Sequence, residues 1–312
     1  MATVYPFKGY RYDANRVGQV RDVVTQPYDK IPDTLREEYL QRHPNNFVRV
    51  IKNPNYEEAA GFMDQWIAQG ILARDSEPAL YVYEQVFAFE EESFSRLGFI
   101  GLVSLDDEDL VVRGHERVLD RPLEDRLNLI RQTHANEGLV FTLYSDHELK
   151  VDALLREYSE RSDPVYEFED DFGVLNKLWK LDEADPTQEI QEILKGKALY
   201  IADGHHRFRT SEVFHEECLA KGWQCATPES FDKRLVALFN MESEGVRILA
   251  THRAVSNLPN FDSEGLVQNL REWFEVVQCG SEGEMLRALP KGVHQLGMVI
   301  SASPLRAYLL RM

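Results

Sequence analysis

The sequence predicts an α+β protein. Three observations carry this: a run of apolar residues at helical spacing, two long runs with strand character, and an order of helices and strands too irregular for a doubly wound sheet or a barrel. With 312 residues and 43% hydrophobic side chains, the chain can build two domains or one elaborated domain. Its formal net charge of −18 repels phosphate backbones and anionic bilayers, which disfavours nucleic-acid and membrane partners. Three cysteines, Cys218, Cys225 and Cys279, show no paired spacing, as suits a reducing compartment, and a cytoplasmic location is expected. The start, "MATVYPFKGYRYD", lacks the features of a signal peptide, and no run approaches the roughly 18 apolar residues of a membrane span.

Residues 1–44 are rich in polar and Pro punctuation, and "VVTQPYDKIP" reads as a short strand entering a Pro-fixed turn. From Tyr56 to Gln69, the residues Ala59, Phe62, Met63, Trp66 and Ile67 recur at the spacing of an amphipathic helix, a stripe that faces a core, and Gly70 supplies its stop. "ALYVYEQVFAFEEE" alternates, with Tyr81, Tyr83, Phe87 and Phe89 on one face and Val82, Val86 and Ala88 on the other. With the apolar run "LGFIGLVSL" after it, this predicts an antiparallel pair. A polar segment then leads into a helix in which Leu127, Ile130 and His134 share a face, followed by a strand at "LVFTLYS". Helices are expected near 147–160, 186–195 and 205–221, and strands near 164–168, 198–202 and 234–241. After "ATHRAVSNLP", a helix (263–274), the strand "FEVVQ", a helix (281–289) and the strands "LGMVIS" and "RAYLLRM" predict a small α/β unit. The expected organisation is a main domain over 1–255 and a smaller C-terminal segment over 256–312.

The chemistry concentrates in "LYIADGHHRFRTS", residues 199–211. A strand ending there hands over to a helix whose free N–H groups and positive dipole end face the turn, a place where an anion fits. Gly204 lets backbone approach a ligand, Arg207 offers a planar fork for phosphate, and His205 or His206 can donate a hydrogen bond or move a proton. Asp203 can cap the helix, bind a metal or orient a histidine; the bland alternative is a decorated helix start paired with the chain's many carboxylates. Adjacent helical residues point about 100° apart, so His205 and His206 do not suit one transition metal, and "HEEC" at 215–218 lacks the second His of a zinc-protease helix. A second cluster, "RGHERVLDRPLEDRLNLIRQT", gathers Arg113, His115, Arg117, Arg121, Arg126 and Arg131 among nearly as many carboxylates. A surface helix laced with ion pairs explains its helical part, whereas His115, Glu116 and Arg117 fall in a loop, where site residues also sit. "QPYDKI" places Tyr28 and Asp29 beside Pro27, as a pocket wall or a plain turn. GxSxG, Walker and GxGxxG fingerprints are absent.

Together "PFKGYRYD", "VVTQPYDKIP", "RLGFIGLVSL", "GHERVLDRPLEDRLNLIRQTHAN", "LYIADGHHRFRTS" and "THRAV" resemble the bacterial and archaeal proteins of domain of unknown function 1015, over about residues 6–255. That family has no established activity. The box "ADGHHRFRTS" is also similar to the DGxHR-type box of the ParB and sulfiredoxin-like superfamily, in which a strand, a tight turn and a helix N-terminus bind nucleotide phosphates. This resemblance implies a ParB/sulfiredoxin-like core from 1–44 and 190–255, with an inserted α/β region over 45–189. It puts Gly204, His205, His206 and Arg207 on the phosphates of a nucleoside di- or triphosphate, with Asp203 near Mg²⁺ or the acceptor. Sulfiredoxin chemistry uses a Cys where this chain has His205, so a sulfur-based mechanism is excluded. The resemblance implies a chain that runs on beyond "RAYLLRM", so this is either a short member or one whose C-terminal segment is truncated.

The function so implied is transfer of a phosphoryl group from a nucleotide to a small, serine-like hydroxyl metabolite. His206 and Arg207 would stabilise the transferred charge, Arg117 and Arg126 would add phosphate contacts, and Mg²⁺ would sit with Asp203 or Asp29. Glu116, or His115, would take the acceptor's proton, and Tyr28 and Asp29 would line the substrate pocket. The alternatives are a noncatalytic nucleotide or metabolite sensor and a phosphate-ester hydrolase.

Overall fold

The alternating run at 80–89 and the apolar run after it form the expected antiparallel hairpin in the computed structural model, which describes residues 4–89, 92–106, 112–225, 227–248, 252–291, 293–301 and 303–312. The first of two compact units, Met1–Ile248, grows around that hairpin. Strands β1 (Val4–Tyr5) and β2 (Tyr10–Tyr12) precede four helices, α1 (Ala14–Val17), α2 (Asp33–Arg42), α3 (Val48–Ile51) and α4 (Tyr56–Ala68). Strand β3 (Leu72–Arg74) returns to pair with β2, and the hairpin follows as β4 (Leu80–Phe89) and β5 (Glu92–Ser104). The chain continues through β6 (Val112–Arg113), α5 (Asp120–Thr133), β7 (Val140–Tyr144), α6 (Lys150–Arg161), β8 (Tyr166–Glu169) and β9 (Leu175–Leu181). Helix α7 (Ala184–Leu194), β10 (Leu199–Asp203), α8 (His205–Ala220) and β11 (Lys233–Asn240) complete the unit.

Nine strands make one mixed sheet in the order β6-β10-β7-β11-β5-β4-β9-β8, with β1 continuing the pairing of β5. Strands from residues 45–189 and from 190–255 alternate in it: β11 lies between β7, to which it is parallel, and β5, to which it is antiparallel. Because successive strand residues point to opposite faces, each strand serves two environments. On one face Val82, Phe99, Tyr144 and Leu238 pack with Leu155 of α6 and Ile190 of α7 in the main core. On the other, Tyr83, Gln85, Arg96, Phe141 and Phe239 line a cleft. Gly98 makes that face possible, because a Cβ there would stand 2.4 Å from both the Leu238 carbonyl oxygen and the Phe239 ring.

The stripe predicted for 56–69 is α4, capped by Asn55, whose side chain accepts the N–H groups of Glu57 and Glu58. Its buried Ala59 and Trp66 pack with Val50, Leu72 and Leu129, and removing the Trp66 side chain is worth about 3–5 kcal/mol on the usual scale for buried aromatics. "VVTQPYDKIP" forms no strand: Val23 closes a 3₁₀ turn, residues 24–27 are irregular, and a second 3₁₀ turn spans Tyr28–Lys30. Helix α2 was hidden in that polar region because it lacks an apolar stripe, with Tyr39 its buried residue. His134 caps α5 in the left-handed region (φ +50°) and stays exposed, while Leu127 and Ile130 turn into a cluster with Phe214 and Cys218 of α8.

The second unit, Leu249–Met312, holds α9 (Ser263–Leu270), β12 (Glu275–Cys279), α10 (Glu282–Ala288), β13 (Gln295–Ile300) and β14 (Arg306–Arg311). Its antiparallel sheet runs β12-β14-β13, and β14 is buried on both faces, with Ala307 and Leu309 against α10 and Tyr308 and Leu310 against α9. Helix α9 ends at Leu270, short of the expected 274, where the chain enters turns at Arg271–Trp273. Thr251 of the "THRAV" block lies outside the described residues. Among the described residues, no helix is long and apolar enough to cross a membrane.

Candidate functional site

Strand β10 ends at Asp203, and Gly204 turns the chain into α8 with φ +96°, a conformation that glycine adopts without strain. The Arg207 side chain folds back beneath this turn, so that a Cβ on Gly204 would stand 3.1 Å from its guanidinium carbon. One amino group of Arg207 donates to Asp203 Oδ2 at 2.5 Å and the other to the Leu139 carbonyl. Arg207 is thus buried, and its charge is paired.

The two histidines hold a loop. His205 Nε2 accepts the N–H of His115 at 3.1 Å, and His206 Nε2 accepts the N–H of Leu119 at 3.0 Å. The His115 ring meets the His205 ring edge-on at 4.5 Å, and Glu116 Oε2 lies 3.3 Å from His205 Nδ1 without hydrogen-bond alignment. Burial holds His205 below the usual imidazole range, outweighing the opposite pull of Glu116. A neutral ring is what an accepting Nε2 requires. His115, Glu116, His205 and His206 are therefore brought together as the fastening of the 114–119 loop to the start of α8.

Tyr28 and Arg126, far apart in sequence, also meet: the Arg126 guanidinium lies 4.1 Å over the Tyr28 ring. Arg126 is buried, donates to the Ile51 carbonyl at 2.9 Å and pairs with Asp125 at 2.6 Å. Burial raises the Tyr28 phenol, with Arg126 and Arg207 pulling the other way. Asp29 and Arg117 are exposed.

A cleft of about 740 Å³ opens between the sheet face and the N-terminal segment. Of the site residues expected from the sequence, Asp203 and Arg207 line it; Pro27 and Gly138 also lie on its wall. Four arginines (Arg21, Arg42, Arg96, Arg207) face three aspartates (Asp170, Asp171, Asp203), an excess of one cation in a chain of net charge −18. Arg42 and Arg21 both pair with Asp171, at 2.8 and 3.6 Å. With Arg207 on Asp203, Arg96 and Asp170 are the cleft charges without an ion pair among the described residues. The Arg96 guanidinium lies 5.2–5.5 Å from the rings of Phe87, Phe141 and Phe239, donates to Gln85 Oε1 at 2.5 Å, and has no carboxylate at salt-bridge distance among the described residues. Its Nε is buried without a partner, and desolvation lowers its pKa, though a guanidinium stays charged at neutral pH. Gln85 passes the network to Asn176 at 3.0 Å, and Asn176 to Asp170 at 3.3 Å.

The family model for a protein of unknown function, DUF1015, matches residues 4–311. The chain belongs to this family. The DUF1015 match runs through both compact units, further than the blocks at 6–255 suggest. No curated protein and no solved structure matches the chain. In this DUF1015 chain Arg96 opens the block "RLGFIGLVSL", and the signal that could have marked it is a lone cation two residues before a glycine that a neighbouring ring needs empty.

Sequence reasoning also missed the polar group beneath the box. Arg234 is buried and donates to the Gly138 carbonyl at 2.5 Å and to Asn136 Oδ1 at 2.7 Å; burial, with Arg207 nearby, pushes it down to about 9. Glu137 has a sealed, unpartnered Oε1, and burial pushes its carboxyl up to about 7 against the pull of Thr133, Arg126 and Arg234. Asp203, expected to hold Mg²⁺, has one carboxylate oxygen taken by Arg207, and among the described residues no three His, Cys, Asp or Glu side chains gather to hold a metal ion.

Proposed function

We propose that this chain binds a nucleotide or another phosphorylated small molecule in the 740 Å³ cleft, with the anionic group against Arg96. The observation that supports this reading is the unpaired Arg96 guanidinium, set among three aromatic rings that lower the local dielectric and strengthen its attraction for an anion. A cleft of this volume is of the size that small-molecule sites have. The ParB- and sulfiredoxin-like reading of the core belongs to the same proposal: β10, the left-handed Gly204 and the start of α8 supply its strand, turn and helix N-terminus.

As an enzyme, the protein would transfer a phosphoryl group to a small hydroxyl acceptor. The acceptor oxygen bonds to phosphorus, the bond to the nucleotide's leaving oxygen breaks, and the acceptor's proton passes to a carboxylate. Asp203, a cleft carboxylate with more than half of its side chain exposed, would take that proton, and Arg96 and Arg207 would stabilise the transferred charge. His115 and Glu116 do not line the cleft, and they take no part in this scheme. The second reading, a noncatalytic sensor, is favoured by the pairing of the other cleft arginines with aspartates, which suits holding a ligand without turnover.

The test is a thermal-shift panel of nucleotides with and without Mg²⁺ on the parent, Arg96→Ala and Arg207→Ala chains, followed by phosphate transfer to serine and its relatives. The expected outcome is stabilisation of the parent, lost in Arg96→Ala and weakened in Arg207→Ala. An Arg96→Ala chain stabilised as much as the parent ends the assignment. Nucleotide consumed with a phosphorylated product marks the transferase, nucleotide consumed with free phosphate marks the hydrolase, and binding without consumption marks the sensor.

A further inference from the structure

The tip between β8 and β9 presents an aromatic ring to the same cleft with nothing covering it. Phe172 is 64% exposed, lines the cleft, and makes no ring or cation contact among the described residues. Tyr10, the other exposed large apolar side chain on the cleft, already lies under Arg74. An exposed phenyl ring is ordinary on a loose loop, but this tip is built to hold it. Asp170 Oδ1 accepts the N–H groups of Phe172 at 2.9 Å and Val174 at 3.1 Å, Gly173 supplies the left-handed turn with φ +73°, and Asp171 is tied to Arg21 and Arg42. Both neighbours of Phe172 are therefore fixed, one by its backbone conformation and one by charge.

An apolar ring held over a cleft whose unpaired cation is a guanidinium asks for a ligand with two ends, one anionic and one flat and apolar. A phosphorylated aliphatic molecule answers Arg96 alone. We propose that Phe172 is the stacking residue for a planar ring joined to the anionic group, so that the site takes nucleoside phosphates in preference to inorganic or aliphatic phosphates. This inference rests on the anion-binding reading of the cleft and adds the class of molecule to it. Stacking tolerates any base, because every base has a π face, so Phe172 selects the class without reading the base's hydrogen-bonding edge.

The experiment measures binding of ATP, CTP and tripolyphosphate to the full chain and to its Phe172→Ala and Phe172→Trp variants. Because Phe172 is exposed, neither change removes core packing. The expected result is nucleotide binding weakened about tenfold or more in Phe172→Ala, with tripolyphosphate unchanged. In Phe172→Trp, the emission added to that of the parent's tryptophans is quenched by the nucleotides and not by tripolyphosphate. Equal nucleotide affinity of the parent and Phe172→Ala, equal losses for nucleotide and tripolyphosphate, or a parent that binds nucleotides no more tightly than tripolyphosphate overturns the stacking assignment and leaves the anion site standing. A parent that binds none of the three overturns both.

Discussion

The start of α8 and the Arg96 end of the cleft both gather charges and rings, and they differ in what is left over. At α8, His205 and His206 accept backbone N–H groups and Arg207 is held by Asp203 and Leu139. At Arg96 a guanidinium packed on three rings has one hydrogen bond to Gln85 and an unpartnered Nε. In the first region the histidines are taken up in fastening a loop and only Asp203 and Arg207 reach the cleft wall; the second is open and has capacity for a ligand. A dense motif marks a site only where its hydrogen bonds and charges remain unsatisfied.

That contrast is sharpest when one change is made in each region. Gly204→Val forces a β-branched residue into φ +96° and pushes on Arg207, and it is expected to cost about 1–3 kcal/mol in urea unfolding. Arg96→Leu removes a desolvated cation without stranding a partner charge, so its stability should equal or exceed the parent's. A tolerated valine at 204, or a strongly destabilised leucine at 96, would reverse the contrast between the two regions.

A smaller effect tests the histidine fastening. With its folded pKa held below the ordinary 6.5, His205 contributes stability that is present above that pH and lost as the pH falls through its folded value. In His205→Gln the amide oxygen can accept the His115 N–H and does not titrate, so part of the parent's loss of stability on acidification below the ordinary 6.5 should disappear. An unchanged pH profile of unfolding would remove His205 from the fastening.

A titration of opposite direction lies at Glu137, beneath the box. Its raised pKa has the opposite sign: the contribution is complete below the ordinary 4.5 and is lost as the pH rises through about 7. Glu137→Gln should match the parent in thermal unfolding under acid conditions and exceed it above neutrality. A variant that is less stable than the parent at alkaline pH would show that the ionised carboxylate supports its arginine neighbours instead.

Much of the framework was legible because its signals are local. The stripe from Ala59 to Ile67 became α4, the alternation at 80–89 became β4, and the order of elements after Ser263 became the second unit. Helix α2 and β9 escaped, the first for want of a stripe and the second because its buried Asn176, Trp179 and Leu181 keep no single period. Of the site, the box supplied Asp203 and Arg207 on the cleft wall, while His205 and His206, the most conspicuous residues, became ties to a loop.

By itself the sequence determined the α+β class, the helix and strand periods and the strand-to-helix turn at Gly204, since each depends on residues a few positions apart. Tertiary structure decided that Arg96 is the open cation. Its rings come from β4, β7 and β11, and its lack of a counter-ion among the described residues is a property of what the sheet register brings near it. Periodicity is carried by neighbours along the chain, whereas an unsatisfied charge is defined by everything around it in space, and only folding assembles that surrounding.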